Sequence, residues 1–361
     1  MHAVPNIRIP YVLGYCRAGF EGECAAEIAA RAAAHGLSGH VAAAAQEACA
    51  VFRFDPPVPL AAVDRVLRLR DLAFARQLVF GARHLDNLPA GDRIAPIAQA
   101  AAQTGLRFSD VLLETADTNE GKALSTLCRR LAGRLNAALE EAGLLVPEAG
   151  NAPSLHVFFA ASRDAHVGIS LPGNRSGWPM GIPRLRMPRD APSRSTLKLA
   201  EALLTLLDDD ERTTLLRPGM RAVDLGAAPG GWTWQLASRG LHVTAIDNGS
   251  IAPSVMATGM VEHLRSDGFT WRPRRPVDWL LCDMAAQPAR IAVLVADWLA
   301  RGQARHALFN LKLPMKKRLE EVDRCRGLIE QRLHAAGQRA TLRIKQLYHD
   351  REEVTACMLR D

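Results

Sequence analysis

The chain has 361 residues, 48% of them hydrophobic, and a mean hydropathy of −0.04. That length supplies two or three domains with full cores, no apolar run reaches membrane-spanning length, and Met1 to Pro10 carries no signal-peptide pattern. A membrane protein and a secreted one are therefore not expected, and the reading is cytoplasmic. The net charge of +7 is unevenly spread, with 16 Lys and Arg against 17 Asp and Glu in residues 1–170 and 29 against 21 in residues 171–361. A basic excess confined to the second half suits a polyanion lying across it. The seven cysteines (16, 24, 49, 128, 282, 325 and 357) are scattered, odd in number and free of C-x-x-C pairs. Reduced, mostly buried thiols fit that pattern better than disulfides or metal ligands.

In chain order, a strand is expected from Ile9 to Cys16, a turn over Arg17 to Gly22, and an Ala-rich helix to about His35. A strand through Ala50 to Phe54 follows, closed by Asp55-Pro56-Pro57, since two prolines cannot continue a ladder. Val63 to Arg70 has helical spacing and Ala73 to Phe80 is strand-like, giving a small α+β unit over 1–85. A second α+β unit covers 86–171. Ile94 to Thr104 and Lys122 to Gly143 are its helices, and Asp110 to Thr115, Leu155 to Ala160 and His166 to Leu171 its strands, the last two paired.

Pro172 to Arg194 is a linker. Prolines 172, 179, 183, 188 and 192 exclude a helix, and arginines 175, 184, 186, 189 and 194 face Asp190 as the only acidic residue. Arginines with Trp178 on an irregular segment suit single-stranded RNA, through phosphate contacts and base stacking. An Arg-rich linker docked on the following domain is the alternative. From Ser195 to the end, strands alternate with helices, which predicts a mostly parallel, doubly wound sheet. The helix is Ser195 to Leu207. Its strands include Val243 to Ile246, Trp279 to Cys282 and His306 to Asn310. The helix Glu320 to Ala335 and closing strands Thr341 to Gln346 and Val354 to Leu359 complete it.

Within that domain, Val223-Asp224-Leu225-Gly226-Ala227-Ala228-Pro229-Gly230-Gly231-Trp232 runs from an apolar strand through a Gly-rich turn into an amphipathic segment. This is how an α/β sheet opens a crevice at its carboxyl edge. The spacing is not G-x-G-x-x-G, so a dinucleotide pyrophosphate fits poorly and a nicotinamide oxidoreductase is disfavoured. The stretch resembles motif I of S-adenosylmethionine-dependent 2'-O-ribose RNA methyltransferases. Asp247 ends the next strand, where an acidic residue can reach ribose hydroxyls. Asp267 follows the strand after that, where such enzymes often hold the adenine amine. Taken singly, each aspartate also reads as a turn residue.

Methyl transfer to a ribose hydroxyl needs alignment and a group that accepts one proton. Lys198, Asp283, Lys312 and Glu353 are the candidates. Asp283 and Lys312 end apolar strands, Glu353 begins the last strand, and Lys198 lies on the helix before motif I. Only six of the 45 basic residues are lysine, so a retained lysine hints at a compact, deprotonatable amine. These positions match the K-D-K-E set of the fibrillarin and FtsJ-like 2'-O-methyltransferases. That resemblance selects Glu353 over Glu352, which strand alternation sends to the opposite face. An unperturbed lysine is neutral in only about one molecule in 2,500 at pH 7. A second lysine nearby would favour that state, and the carboxylates would oppose it. The expectation is that Lys312 orients the 2'-hydroxyl and accepts its proton, Asp283 and Glu353 position the lysines, and Lys198 tunes the charge. Surface ion pairs are the plain alternative. Lys316-Lys317-Arg318 reads equally as a phosphate grip or a solvated helix start. A strand ending Cys282-Asp283-Met284 lacks the N-P-P-Y or D-P-P-Y of base amino-methyltransferases.

Val111 to Lys122 resembles a THUMP domain, an RNA-binding module, although a generic packing domain would read similarly. Across nearly its whole length the chain resembles the bacterial large-subunit rRNA cytidine 2'-O-ribose methyltransferases (RlmM family). The resemblance rests on Gly14 to Ile28, Val111 to Lys122, Met180 to Leu185, Ser193 to Lys198, motif I, and His349 to Glu353. It implies a Rossmann-like catalytic domain behind a ferredoxin-like and THUMP-bearing region. One cytidine in 23S rRNA is the implied target, free or in an assembling subunit, and the implied state is a monomer or weak dimer. It also implies cofactor contacts at Ser195, Ala228, Pro229, Gly230, Gly231, Asp247, Asp267 and Asp283. Ala228 stands where many members are expected to carry Cys. For RNA, the expected contacts are Arg175, Trp178, Arg184, Arg186, Lys316 and Lys317. Two competing readings are a 2'-O-methyltransferase acting on another RNA and a non-catalytic rRNA-binding assembly factor.

Overall fold

The computed structural model describes residues 7–42, 47–147 and 150–360. The chain divides after Ile182 into two compact units, each built on its own seven-stranded sheet.

The first unit runs β1 (Arg8–Tyr15), α1 (Glu21–Ala34), β2 (Gly39–Val41), β3 (Cys49–Pro59), α2 (Leu60–Val66), β4 (Gln77–Leu85), α3 (Ile94–Ala102), β5 (Asp110–Thr115), α4 (Asn119–Glu141), β6 (Ser154–Ala161) and β7 (Asp164–Ser170). The strand order is β2-β3-β1-β4-β7-β6-β5, antiparallel except for β5 beside β6. Helix α1 buries Cys24, Ala25, Ile28 and Ala32, a helical stripe that packs on β3. Pairing of β4 with β7, from Phe80↔Ile169 to Leu85↔Ala165, fuses the strands of both expected N-terminal units into one sheet.

Two strand expectations need correction. Asp55-Pro56-Pro57 does not end β3, which continues to Pro59 and pairs Ile9↔Val58 and Arg8↔Pro59. A register shift between Ile9 and Tyr11 absorbs the prolines, which a bulge tolerates because it leaves residues outside the ladder. The strand expected from Ala73 begins only at Gln77. The Glu27 carboxylate accepts hydrogen bonds from the Ala73 and Phe74 amides (2.6 and 3.0 Å), so these donors are satisfied outside a ladder.

The second unit runs α5 (Ser195–Leu206), α6 (Asp209–Leu215), β8 (Arg221–Leu225), α7 (Gly231–Ala237), β9 (His242–Ile246), α8 (Pro253–Met256), β10 (Val261–Leu264), β11 (Val277–Cys282), α9 (Pro288–Ala300), β12 (Ala304–Lys312), α10 (Arg318–Ala335), β13 (Ala340–Lys345) and β14 (Glu353–Arg360). The order β10-β9-β8-β11-β12-β14-β13 reverses direction between β8 and β11. The mostly parallel sheet is as expected, with β14 antiparallel to both its neighbours. Leu199, Ala202, Leu203 and Leu206 of α5 share one core with Trp232 and Leu236 of α7 and with Trp279, Leu281 and Leu308 of the sheet. Burying each such side chain contributes roughly 1.5–3 kcal/mol. Helix α6 was missed by the sequence reading although its signal is present. Asp208 and Glu211 form a capping box, with the Asp208 carboxylate accepting from the Glu211 amide at 2.8 Å.

Candidate active site

Strand order reverses between β8 and β11, so the loops after them diverge and leave a crevice at the carboxyl ends. After Leu225 the chain turns through 226–230 into α7. Gly230 caps that helix at φ +108°, a conformation that side chains strain to reach. At Gly231 a Cβ would collide with the Ser195 hydroxyl, so glycine there lets the turn lie against the start of α5. Ser195 Oγ shares a 2.7 Å hydrogen bond with Ser193 Oγ.

Asp247, half-buried after β9, fastens this turn. Its carboxylate accepts from the Ala228 amide at 3.0 Å and the Gly249 amide at 2.7 Å. Each oxygen keeps a further acceptor lone pair. Asp267 is exposed, and its Oδ1 accepts from the Phe269 amide at 2.9 Å, the local turn bond that aspartate favours. Asp224, fully buried in β8, accepts from Thr233 Oγ1 at 2.7 Å and so ties the strand to α7. Burial pushes its pKa up to about 7, against the Thr233 hydrogen bond, which lowers it. The cradle, with a hydroxyl pair, a turn of small residues and aspartates after successive strands, fits a nucleoside-bearing cofactor.

Three of the four K-D-K-E positions meet directly. Lys198 Nζ donates to Glu353 Oε1 at 2.7 Å and lies 3.4 Å from Asp283 Oδ2. Their side chains are 11%, 13% and 19% exposed, so the pairing is only partly screened by water. Burial pulls the Lys198 pKa down, but Asp283 and Glu353 together more than offset it, and the net direction is up. Lys312 stands directly across the β12–β14 ladder from Glu353, on the same face of the sheet. It is exposed and takes part in no hydrogen bond or ion pair among the described residues. Glu352, the alternative to Glu353, pairs instead with Arg318 at 2.8 Å.

A buried polar chain behind these residues went unread in the sequence. Asn310 Nδ2 donates to Asp283 Oδ1 at 2.8 Å, and Thr355 Oγ1 donates to Asn310 Oδ1 at 2.7 Å. Asp350 sits behind Thr355, wholly buried. Glu201, three residues after Lys198 on α5, accepts from the Tyr348 and His349 amides and contacts His349 Nδ1 at 2.6 Å, which holds the turn before β14. Polar residues inside apolar strand runs, Asn310 and Thr355, were the available signal, because a buried amide or hydroxyl must find partners.

The expected RNA contacts separate into two groups. Arg175 and Trp178 belong to the first unit, where both are half-buried and the Arg175 guanidinium is engaged by Ser154 Oγ. Arg184, Arg186, Lys316 and Lys317 belong to the second unit and are exposed. Arg184 lies over the Tyr348 ring, 5.9 Å from its centroid, and Lys317 pairs with Glu320 at 3.0 Å. All seven cysteines are buried and free.

Three family models match the chain. They are a "RlmM ferredoxin-like domain" over residues 9–79, "Ribosomal RNA large subunit methyltransferase M, N-terminal" over 92–171, and "FtsJ-like methyltransferase" over 191–337. A protein named ribosomal RNA large subunit methyltransferase M from Azoarcus sp. (strain BH72) is 56% identical, covering 96% of this chain and 94% of its own length. Its namesake from Methylococcus capsulatus (strain ATCC 33009 / NCIMB 11132 / Bath) is 56% identical over 95% of this chain and 96% of its own. Among solved structures, TrmN from Thermus thermophilus aligns over 97% of this chain and 99% of its own with 16% identity and a TM-score of 0.35, too distant to bear on function.

Proposed function

This chain belongs to the ribosomal RNA large subunit methyltransferase M family, and from that premise we propose that it methylates the ribose 2'-hydroxyl of a cytidine in 23S rRNA. The observation that carries the reading is the exposed Lys312, without a partner among the described residues, placed across from Glu353 beside a Lys198–Asp283–Glu353 cluster. The methyl donor is S-adenosylmethionine, which when bound supplies an electrophilic methyl group on a sulfonium. Asp247 would hold the cofactor's ribose hydroxyls and Asp267 its adenine amine. Ser195 and the Ala228-Pro229-Gly230-Gly231 turn would hold the rest of the cofactor.

Lys312 orients the 2'-hydroxyl and takes its proton as the oxygen attacks. Asp283 and Glu353 are engaged by Lys198, so neither carboxylate clamps the Lys312 side chain. Lys198 in turn holds both carboxylates in place. Arg184, Arg186, Lys316 and Lys317 receive phosphates, and the THUMP-type part of the first unit, residues 86–171, contributes further RNA affinity. A domain division at 1–85, 86–171, 172–194 and 195–361 goes with this assignment of roles.

The test is transfer of labelled methyl from S-adenosylmethionine to large-subunit rRNA lacking the modification, with the product nucleoside identified. Wild type yields 2'-O-methylcytidine, and Lys312→Ala slows transfer by a factor on the order of 10²–10⁴, the usual contribution of a positioned general base. Normal turnover by Lys312→Ala would remove the assigned role. A different labelled nucleoside would keep the enzyme and discard the target, and cofactor binding without transfer to any rRNA would favour an assembly factor.

A further inference from the structure

Asp283 has two carboxylate oxygens with different tasks. Oδ2 faces Lys198 at 3.4 Å, and Oδ1 accepts from the Asn310 amide at 2.8 Å. The Asn310 amide has one orientation available, because turning its carbonyl toward Asp283 would set two acceptors against each other. Its carbonyl then accepts from Thr355 Oγ1 at 2.7 Å. A hydroxyl carries one proton, and that bond uses it. Thr355 Oγ1 also lies 3.1 and 3.3 Å from the two Asp350 carboxyl oxygens, one of which accepts the Leu347 amide at 3.0 Å. With the threonine proton committed to Asn310, this contact holds together only if the Asp350 carboxyl is protonated and donates to Thr355.

We propose that Asp350, Thr355 and Asn310 are positioning residues, a one-way hydrogen-bond relay from a neutral carboxylic acid that fixes the Asp283 carboxylate toward Lys198. The proposal rests on the role given to Asp283 above. The surroundings of Asp350 agree with it independently. Asp350, Asn310 and Thr355 are all within 1% of complete burial. Burial and then the Glu353 charge drive the Asp350 pKa well above the usual carboxylate range, Lys198 and the Leu347 hydrogen bond oppose, and Glu201 adds to the rise. Every proton in the relay therefore points toward Asp283, and a carboxylate with a donor on each oxygen keeps one orientation. Reaction geometry depends on such placement, since a misplacement of about 1 Å can cost on the order of 100-fold in rate.

Near-isosteric variants test the relay, each assayed beside wild type with the product nucleoside identified. Thr355→Val lowers kcat roughly tenfold and Asn310→Leu at least as much, while cofactor affinity by calorimetry stays within about twofold. Asp350→Asn stays neutral and keeps a donor, so it retains most of the rate that Asp350→Leu loses. Should Asp350→Leu fail to fold, Thr355→Val alone carries the rate test. A readout without turnover is the ¹³C carboxyl resonance of Asp350, assigned by its loss in Asp350→Asn, which stays at the shift of a protonated acid through neutral pH. Unchanged kcat in Thr355→Val, equal damage from Asp350→Asn and Asp350→Leu, or an ionised Asp350 at neutral pH overturns the relay. A wild type that makes no ribose-methylated product overturns the proposed function instead, and the ¹³C measurement still decides the relay.

Discussion

Each unit holds a buried cluster of charged side chains, and the two clusters are built for opposite ends. In the first unit Glu114 and His156 meet at 2.8 Å, almost fully buried. The other His156 nitrogen contacts Ser170 Oγ at 2.8 Å, and the second Glu114 oxygen accepts from the Met180 amide at 2.6 Å. Both side chains are thus bonded at both ends within the protein, and the cluster fastens the segment around Met180 to strands β5 and β6. In the second unit Lys198, Asp283 and Glu353 are also paired, but they are partly open to solvent, and Lys312 beside them has no partner among the described residues. A closed cluster stabilises; a cluster that keeps one amine free is suited to chemistry.

The contrast can be broken first at its strongest point. Glu114→Ala strands a buried histidine and costs about 3–5 kcal/mol of stability in the first unit. Urea denaturation followed by segment-resolved hydrogen exchange should show the loss in residues 1–182 and leave the second unit protected. Lys198→Met costs less, about 1.5–3 kcal/mol, because its partners can recruit water. A loss as large as that of Glu114→Ala would mean that the second cluster is equally structural.

pH separates the two clusters by sign. The Glu114 pKa is lowered: burial raises it, but His156 and the hydrogen bonds overcome that. Its stabilisation is present above the unfolded value, 4.5, and disappears as pH falls through the folded value below that. The Lys198 pKa is raised, so its contribution is complete below 10.5 and is lost as pH climbs through the higher folded value. Hydrogen exchange should therefore find the first unit sensitised by acid and the second by alkali, and Glu114→Gln should abolish the first effect alone. The smallest expected change is Lys312→Ala, which should move unfolding by no more than about 0.5 kcal/mol, since an exposed side chain without partners has little to lose. A larger shift would mean that Lys312 is held by the fold and is not free for catalysis.

Much of this was legible in the chain itself. Motif I, the helix beginning at Ser195 and the parallel strands could be read because apolar runs and glycines act locally. Asp55-Pro56-Pro57 misled for the complementary reason: whether prolines stop a strand depends on whether that strand can bulge against its partner, which lies some fifty residues away. Glu27 capping the Ala73 and Phe74 amides is another long-range bond that no local pattern announces.

The same division holds at the site. Sequence alone determined which residue types stand at the strand ends and on the helix before motif I, and the resemblance to the K-D-K-E set made Lys198, Asp283, Lys312 and Glu353 the candidates. The tertiary structure decided which of them touch. Strand β14 enters antiparallel beside β12, so its first residue, Glu353, falls at the carboxyl edge opposite Lys312 and within reach of Lys198. A parallel β14 would have carried Glu353 to the far edge of the sheet. The pairing direction of two strands is set by packing across the whole domain, and so it is not written in the few residues that depend on it.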